Sequence, residues 1–181
     1  MNIDIKKSTK PVKYNDAIEF LEKRVIDVNL KKKNELIWIL QHPSTFTAGK
    51  RYKENEILDK KIKIIHTSRG GKITWHGPGQ LIFYFVINLN KRNKDIRKFL
   101  NLIETTIIET LKKYNIFSNR KEDFAGVWVE NEKICAMGVR LARWVTMHGF
   151  ALNNKPNLNY FDGMIPCGIF EYGVTSIFEI N

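Results

Sequence analysis

The sequence lacks the features of a cross-linked or membrane-embedded chain. It has only 2 cysteines in 181 residues, Cys135 and Cys167. These are too few for a disulfide framework and are not spaced as in a zinc site, so we expect reduced thiols. The longest apolar run covers residues 81–87, whereas a helix that crosses a bilayer needs about 20 apolar residues. The first residues are charged where a secretory signal would be apolar, and Asp4 is unlike a transit peptide, which predicts a cytoplasmic protein.

Proline and glycine are also sparse. The 5 prolines and 11 glycines form no stretch that resembles an interdomain linker, and no segment of roughly 20–50 residues repeats. A chain of 181 residues buries about 70% of its unfolded surface, and its hydrophobic content of 43% is enough for a sizeable core. We therefore predict a single domain over residues 1–181.

Charge is abundant and unevenly distributed. The formal net charge is +11, with 22 basic and 10 acidic residues in 1–100 against 8 and 9 in 101–181, or +12 and −1. This excess indicates either solvated lysine-rich faces or a partner that is acidic, such as nucleic acid or an acidic protein. No helix-turn-helix, RNP-like strand or zinc-finger pattern is present, so nucleic acid is not favoured.

Hydrophobic periodicity predicts two main helices, at residues 15–28, where Asn15 or Asp16 could cap the start, and at residues 95–114. The β-rich segments outnumber them: 35–40, 63–66, 72–75, 81–87, 125–129, 133–139 and 145–152. The continuous apolar run at 81–87 indicates a strand covered on both faces, and residues 130–132 are typical of a short hairpin connection. We predict an α+β fold in which a mixed, mostly antiparallel sheet is packed by the two helices.

The densest cluster of glycine and polar residues covers residues 69–80. It contains four glycines together with Arg69 and His76. Adjacent glycines let backbone N–H groups approach a ligand, Arg69 adds a fixed positive charge, and His76 can donate or accept a hydrogen bond. The spacing matches neither a Walker loop nor a GxGxxG fingerprint. Both a ligand cradle and a structural hairpin with His76 in the core remain open, and the convergence of these groups favours the cradle.

The two thiols stand in different settings. Cys135 lies within an apolar β segment and is typical of a buried small side chain. Cys167 lies between Pro166 and Gly168, a setting for an exposed turn, which makes it the better candidate nucleophile. A free thiol with a pKa near 8.5 is only about 3% thiolate at pH 7, so a cation or base would have to activate it.

Lys133 begins the same segment as Cys135. It is either solvated or held near a reactive group, where an ammonium at about 4 Å would stabilise a thiolate by on the order of 4 kcal/mol. No metal site is predicted, because the histidines and cysteines show no HxxxH, HExxH or paired-cysteine spacing. A papain-like protease is not favoured either, because its cysteine would precede its histidine.

Six motifs follow one another in the order found in a known family: HPSTFTAG at 42–49, RGGKITWHGPGQ at 69–80, KICAMG at 133–138, HGFALN at 148–153, IPCG at 165–168 and VTS at 174–176. From about Tyr14 to Ser176 the chain resembles the lipoyl(octanoyl) transferases. Trp75 departs from the family, where tyrosine is usual, as does Ala48, where a larger apolar residue is common. The resemblance implies an enzyme with a fold similar to biotin and lipoate protein ligases. Such an enzyme moves an octanoyl group from acyl carrier protein to a lipoyl-domain lysine through a cysteine acyl-thioester, without a cofactor.

The resemblance also implies residue roles. Cys167 matches the acyl-accepting cysteine, and Lys133 matches the lysine that lowers its pKa. Backbone N–H groups of residues 69–71 are expected to stabilise the tetrahedral intermediate. The substrate-binding set implied by position is Arg69, Gly70, Gly71, Lys72, Ile73, Thr74, Trp75, His76, Ala136, Met137, Gly138, Gly149, Phe150 and Ala151.

The implied partners are octanoyl-acyl carrier protein as donor, and lipoyl domains of 2-oxoacid dehydrogenases and the glycine cleavage H protein as acceptors. Acyl carrier proteins and many lipoyl domains are acidic, which gives the basic residues 1–100 a partner. Two other classes stay open. An ATP-dependent lipoate or biotin ligase of similar fold would need ATP and no cysteine, and a basic binding module would need neither.

Overall fold

A computed structural model describes residues 2–122, 124–165 and 172–181, and these form three α-helices and eleven β-strands. The helices are α1 (Tyr14–Asn29), α2 (Ile96–Lys112) and α3 (Ile177–Ile180). The strands are β1 (Ile3–Lys7), β2 (Glu35–Leu40), β3 (Thr45–Ala48), β4 (Ile64–His66), β5 (Ile73–His76), β6 (Gln80–Val86), β7 (Asn119–Lys121), β8 (Phe124–Val129), β9 (Glu132–Ala142), β10 (Val145–Asn153) and β11 (Gly173–Val174).

The strands form two sheets. The main sheet has the order β1-β2-β6-β10-β9-β8-β7, with β11 paired to β9, and the small sheet has the order β4-β3-β5. Three pairings are parallel, β1 with β2, β3 with β4 and β9 with β11, and the others are antiparallel. The predicted α+β fold with a mixed, mostly antiparallel sheet is confirmed, whereas the second sheet was not predicted.

The two long helices cover opposite faces of the main sheet. Leu21 and Val25 of α1 lie in one apolar cluster with Ile82 and Tyr84 of β6. The other cluster combines α2 with Phe85 of β6 and with β10. Because side chains of a strand alternate between faces, β6 buries its even-numbered apolar residues on the α1 side, and its odd-numbered residues pack, partly or fully buried, on the α2 side. The prediction of a strand covered on both faces is confirmed.

The helix ends differ in detail from the prediction. The N-cap of α1 is Lys13, which makes no side-chain cap hydrogen bond, so the expected cap by Asn15 or Asp16 is wrong. The N-cap of α2 is Asp95, whose carboxylate accepts a hydrogen bond from the Lys98 backbone N–H at 2.9 Å. Tyr114 lies beyond the end of α2 and is 60% exposed, because the apolar period outlasts the helix.

None of the helices in the described residues is long and apolar enough to cross a membrane.

The small sheet has its own apolar core. Trp75 of β5 is fully buried there with Phe161 and Met164. Its indole N–H donates to the Ser44 hydroxyl at 2.9 Å, and its ring stacks on Tyr160 with 4.6 Å between centroids. This packing fixes β5 and thereby positions the glycine-rich residues 69–80 against the main sheet.

Candidate active site

A cavity lies between the small sheet and the face of the main sheet that α1 covers. Twelve of the fourteen residues predicted to bind substrate line it; Gly70 and Trp75 do not. The lining residues are Tyr14, Arg69, Gly71, Lys72, Ile73, Thr74, His76, Ile82, Tyr84, Ala136, Met137, Gly138, His148, Gly149, Phe150 and Ala151. The structure therefore brings together the three segments that sequence comparison selected, although they are far apart in the chain.

Glycine at position 138 allows these segments to meet. Gly138 of β9 pairs with Gly149 of β10, and a Cβ atom on Gly138 would lie 3.0 Å from the Gly70 carbonyl oxygen. That separation is shorter than ordinary van der Waals contact, so a side chain here would push the loop of residues 69–71 away. The missing side chain at Gly138 lets the loop close over one end of the cavity.

Arg69 is held by the protein at the cavity wall. It is 7% exposed, and its guanidinium donates to the backbone oxygen of Thr47 at 2.9 Å, to the Thr47 hydroxyl at 2.8 Å and to the Gly70 carbonyl at 2.9 Å. These contacts fasten the loop of residues 69–71 to β3. The charge also acts on its surroundings, since it helps to lower the pKa values of His76 and His148.

His148 is the least satisfied polar side chain of the cavity. It is 1% exposed, its backbone has a φ of +68°, and neither ring nitrogen has a hydrogen-bond partner among the described residues. Burial lowers the pKa of His148 to about 3, and the positive charges of Arg69 and Arg140 act in the same direction. His148 is therefore a neutral imidazole at pH 7 that faces the cavity with a free donor and a free acceptor.

Two further histidines are neutral for related reasons. Burial, followed by the neighbouring His42 and Arg69, lowers the pKa of His76 well below its usual value. Burial also lowers the pKa of His42. His42 Nδ1 lies 2.6 Å from the Val12 carbonyl, which can only accept, so Nδ1 carries the proton and Nε2 accepts from the Tyr84 hydroxyl at 2.7 Å. The cavity is thus lined by neutral polar rings next to apolar side chains.

Four of the lining residues were absent from the predicted set: Tyr14, Ile82, Tyr84 and His148. Ile82 and Tyr84 are two residues apart in β6, so the period of a strand places them on the same face. The local sequence does not indicate that this face meets the cavity. His148 is the first residue of the HGFALN motif. Tyr14 starts α1, and only the fold brings it near residue 76, with its ring stacked 6.1 Å from that of His76.

Lys133 is buried, not solvated. It is 6% exposed, its ammonium donates to the Ala125 carbonyl at 3.2 Å, and it lies 4.5 Å from the centre of the Trp128 ring. The interpretation of Lys133 as a solvated lysine is wrong. A lysine ammonium is seldom buried unless it is paired, so its position calls for a functional or structural reason.

The two cysteines cannot be compared directly, because Cys167 lies outside the described residues. Cys135 is fully buried within β9, as predicted. Burial raises the pKa of the Cys135 thiol, the carboxylate of Glu104 raises it further, and the Lys133 ammonium opposes both. Cys135 is therefore a protonated thiol with no access to substrate.

The chain on either side of residues 166–171 is fixed. Before them, the Ile165 N–H donates to the Glu56 carbonyl at 2.8 Å. After them, Val174 pairs with Lys133 through β11, and the Thr175 N–H donates to the Lys133 carbonyl at 3.1 Å. The strand that carries the buried ammonium thus also holds the chain that follows the IPCG motif.

A chain of hydrogen bonds connects the cavity with that same segment. The ring of His76 contacts the Gln80 side-chain oxygen at 3.3 Å, and the Gln80 amide donates to Asn153 at 2.9 Å. The Asn153 amide then donates to the Thr175 carbonyl at 2.9 Å. Gln80, Asn153 and Thr175 come from three different sequence motifs, so the motifs converge in space as well as in order.

The described residues contain no group of three or more side chains placed to hold a metal ion. The remaining charged residue of the cavity, Lys72, pairs with the buried carboxylate of Glu56 at 2.6 Å. The cavity therefore offers neutral donors and apolar walls, and the buried Lys133 ammonium lies outside its lining, against β8.

Comparison with known proteins agrees with this arrangement. Residues 13–181 match the model of the family described as lipoyl protein ligase A/B catalytic domain. An octanoyltransferase of Wolbachia sp. subsp. Brugia malayi is 47% identical over 96% of this chain and 87% of its own length. An octanoyltransferase of Novosphingobium aromaticivorans is 41% identical over 97% and 81%.

Solved structures show the same fold at much lower identity. A lipoate-protein ligase A bound with ATP has a TM-score of 0.72 at 11% identity, over 96% of this chain and 76% of its own. A bi-partite lipoate protein ligase from Thermoplasma acidophilum has a TM-score of 0.70 at 12% identity, over 98% and 76%. The resemblance to lipoyl(octanoyl) transferases is confirmed, and the chain belongs to the lipoyl protein ligase A/B catalytic domain family.

Proposed function

We propose that this protein is an octanoyltransferase that moves an octanoyl group from acyl carrier protein to a lysine of a lipoyl domain. Relatives that are 39–47% identical over nearly the whole chain are named octanoyltransferases, whereas the ATP-bound ligase is 11% identical and supports the fold alone. The observation that carries the proposal is the meeting of the RGG, KICAMG and HGFALN segments around one cavity, with Lys133 buried on the same strand.

The cavity suits a neutral acyl chain. Ile73, Ile82, Ala136 and Ala151 supply apolar walls, and the histidines that share the cavity are uncharged at pH 7. The positive charge of Arg69 is already bonded to Thr47 and Gly70. Burial of apolar carbons contributes about 0.8 kcal/mol for each methylene, which is enough to favour an eight-carbon chain over acetyl.

The proposed chemistry uses Cys167 and Lys133 in two steps. The Cys167 thiolate attacks the thioester carbonyl of the donor, a carbon–sulfur bond forms, and the carrier thiolate leaves with a proton from the Lys133 ammonium. The acceptor lysine then attacks the new thioester, Lys133 takes the proton released by that amine, and the Cys167 thiolate is expelled. The ammonium–thiolate pair is thereby restored, and no cofactor enters the balance.

The oxyanion formed in each step needs hydrogen-bond donors. We assign this role to backbone N–H groups of residues 69–71, because that loop closes over the cavity and Gly71 has a φ of +83°. Backbone donors held by a rigid loop cost no reorganisation when charge develops.

The proposed partners follow from family and charge. Lipoyl domains of 2-oxoacid dehydrogenases and the glycine cleavage H protein are the proposed acceptors, and octanoyl-acyl carrier protein is the proposed donor. The formal charge of +12 over residues 1–100 supports association with these acidic proteins. A reduced, reactive Cys167 also fits a cytoplasmic location.

Intact-mass analysis tests the activity against the ligase alternative. Octanoyl-acyl carrier protein without ATP should add one octanoyl group to the protein, and the group should pass to a lipoyl domain added afterwards. Octanoate with ATP should give neither product. Acylation that requires ATP and free octanoate, with none from the carrier, would assign the chain to the ligases instead.

A further inference from the structure

One peptide group on β8 is held at both ends by charged side chains. The carbonyl of Ala125 accepts a hydrogen bond from the Lys133 ammonium at 3.2 Å. The N–H of Gly126 donates to the carboxylate of Glu104 at 2.9 Å. These two atoms belong to the same peptide, so a buried carboxylate and a buried ammonium face each other across a single amide.

Glu104 occupies an unusual place for a carboxylate. It is 6% exposed on the apolar side of α2, next to Ile103 and one turn before Ile107. Its second oxygen accepts from the Arg120 guanidinium at 2.9 Å. A buried carboxylate costs several kcal/mol of lost hydration unless it is paired and hydrogen-bonded, and Glu104 meets both conditions through Arg120 and the Gly126 N–H.

The strand is irregular where Glu104 meets it. Gly126 has a φ of +124°, and a Cβ atom there would lie 2.4 Å from the Cys135 carbonyl oxygen. Against β7 the register of β8 also shifts, because Asn119 pairs with Trp128 and Lys121 with Phe124, so that two steps along β7 span four along β8. A bulge of this kind turns a backbone group away from the regular ladder, and here the Glu104 carboxylate accepts the Gly126 N–H.

Other charged and aromatic side chains lie near the Ala125–Gly126 peptide and its two charged partners. Arg120 and Lys121 lie on β7, and the Lys121 ammonium is 4.0 Å from the centre of the Tyr172 ring. Tyr172 in turn packs on Trp128, with 5.3 Å between the ring centres, and Trp128 also contacts the Lys133 ammonium. Of these groups, Glu104 is the carboxylate that accepts a hydrogen bond from the Ala125–Gly126 peptide, whose carbonyl in turn accepts from the Lys133 ammonium.

We propose that Glu104 is a positioning residue for the reaction. Its carboxylate fixes the Ala125–Gly126 peptide, and the carbonyl of that peptide then orients the Lys133 ammonium. The inference rests on the role assigned to Lys133 under the proposed function. Loss of the Glu104 oxygen frees the peptide to rotate, and the Ala125 carbonyl then no longer holds the ammonium in a fixed orientation. A displacement of about 1 Å in a proton-transfer group reduces a rate by ten- to a hundredfold.

Two substitutions of Glu104 separate the loss of its hydrogen-bond acceptor from the loss of its negative charge. Glu104→Gln keeps an oxygen that can accept the Gly126 N–H, and Glu104→Leu removes it. We expect Glu104→Leu to lower kcat by about tenfold or more while KM for octanoyl-acyl carrier protein stays within about twofold, and Glu104→Gln to recover most of the rate. Glu109→Leu, an exposed glutamate on the same helix, is the matched control and should leave both constants unchanged.

A spectroscopic measurement reports on the lysine without using activity. In protein labelled with [15N]lysine, the Nζ resonance of Lys133 is identified by its loss in Lys133→Met. It should shift or broaden in Glu104→Leu and stay close to the wild-type position in Glu104→Gln. If Glu104 only stabilises the fold, the folded fraction will drop while the Lys133 resonance and kcat per folded molecule stay the same, which overturns the proposal.

Two further variants, Glu104→Asp and Lys133→Met, keep the test decisive. If Glu104→Leu does not fold, Glu104→Asp retains the charge for Arg120 but withdraws the acceptor, and it should lower kcat by about threefold or more; an unchanged kcat and resonance would overturn the proposal. If Lys133→Met acylates as fast as wild type, the role of Lys133 fails. The response of the Lys133 resonance to Glu104 variants still shows whether Glu104 positions it.

Discussion

Lys133 and Val174 lie opposite each other in the parallel pairing of β9 with β11. The Lys133 side chain is buried against Trp128, while its backbone carbonyl receives the Thr175 N–H. One residue therefore presents an ammonium and also fixes the chain that follows residue 171. The buried ammonium and the chain after residue 171 are therefore fixed by the same position of β9.

Substitutions of Lys133 should change the reactivity of Cys167. Lys133→Met removes the charge that favours the thiolate, so iodoacetamide alkylation of Cys167 near pH 7 should slow by at least about tenfold. Lys133→Arg keeps the charge but cannot release a proton, so alkylation should slow less and octanoyl transfer should still be lost. Equal alkylation rates in all three proteins would show that Lys133 does not activate the thiol.

The acyl group should be found on Cys167 and not on Cys135. Cys167→Ala and Cys167→Ser should abolish both the acyl-enzyme and transfer. Cys135→Ala should cost about 1 kcal/mol of unfolding free energy, because it removes one buried atom, and should leave acylation intact. Peptide mapping of the acylated protein decides between the two, and octanoyl on the Cys135 peptide would refute the mechanism.

The free energy of unfolding should decrease as the pH is lowered through a range set by His148. Its pKa is about 3 in the folded protein against an ordinary value of 6.5. Between these values the unfolded chain binds a proton that the folded chain does not, so stability is greatest above pH 6.5 and decreases as the pH falls toward 3. Each such histidine contributes about 1.4 kcal/mol per pH unit within that range.

Urea denaturation at several pH values measures this slope. His148→Phe should make the slope shallower by about one proton. A slope that is the same in His148→Phe and in wild type would show that His148 takes up its proton equally well in the folded protein.

Gly138→Ala should impair the cavity more than the fold. The new Cβ would lie 3.0 Å from the Gly70 carbonyl oxygen, so the loop of residues 69–71 must move. We expect acyl-enzyme formation to slow by about tenfold or more, with about 1 kcal/mol lost in stability. Gly163→Ala, whose Cβ would meet the flexible end of Ile62, is the control. Normal acylation by Gly138→Ala would mean that the loop does not shape the site.

Association with acyl carrier protein should depend on salt. The +12 charge over residues 1–100 would attract an acidic carrier, and the Debye length shrinks from roughly 20 Å to about 6 Å between about 0.02 M and 0.3 M salt. Stopped-flow association rates should therefore fall steeply over this range. A rate constant that does not change would exclude electrostatic steering.

The sequence predicted the parts of this structure that depend on local patterns. Helix α2, the two-faced strand β6 and the hairpin before β9 follow from apolar periodicity and turn chemistry. Motif order selected most of the cavity wall, including Ala136 and Gly149.

Contacts between distant segments were not predictable. Tyr14 reaches the cavity only because α1 packs on the main sheet, and β3 is recognised only through its pairing with β4 and β5. The bond from Gly126 to Glu104 joins a strand bulge to a helix, which no periodicity encodes. The N-cap of α1 was mispredicted because the helix begins without a side-chain cap, and its first turn carries the buried Tyr14 and Ala17.

The antiparallel pairing of β6 with β10 joins residues 80–84 to residues 149–153, and it has a kinetic consequence. Loops of this length must close before either side of the cavity exists, and non-local pairing of this kind slows folding. During refolding, the helical circular dichroism signal should return before the capacity to form the acyl-enzyme. Active molecules should accumulate only with the slowest phase of sheet formation.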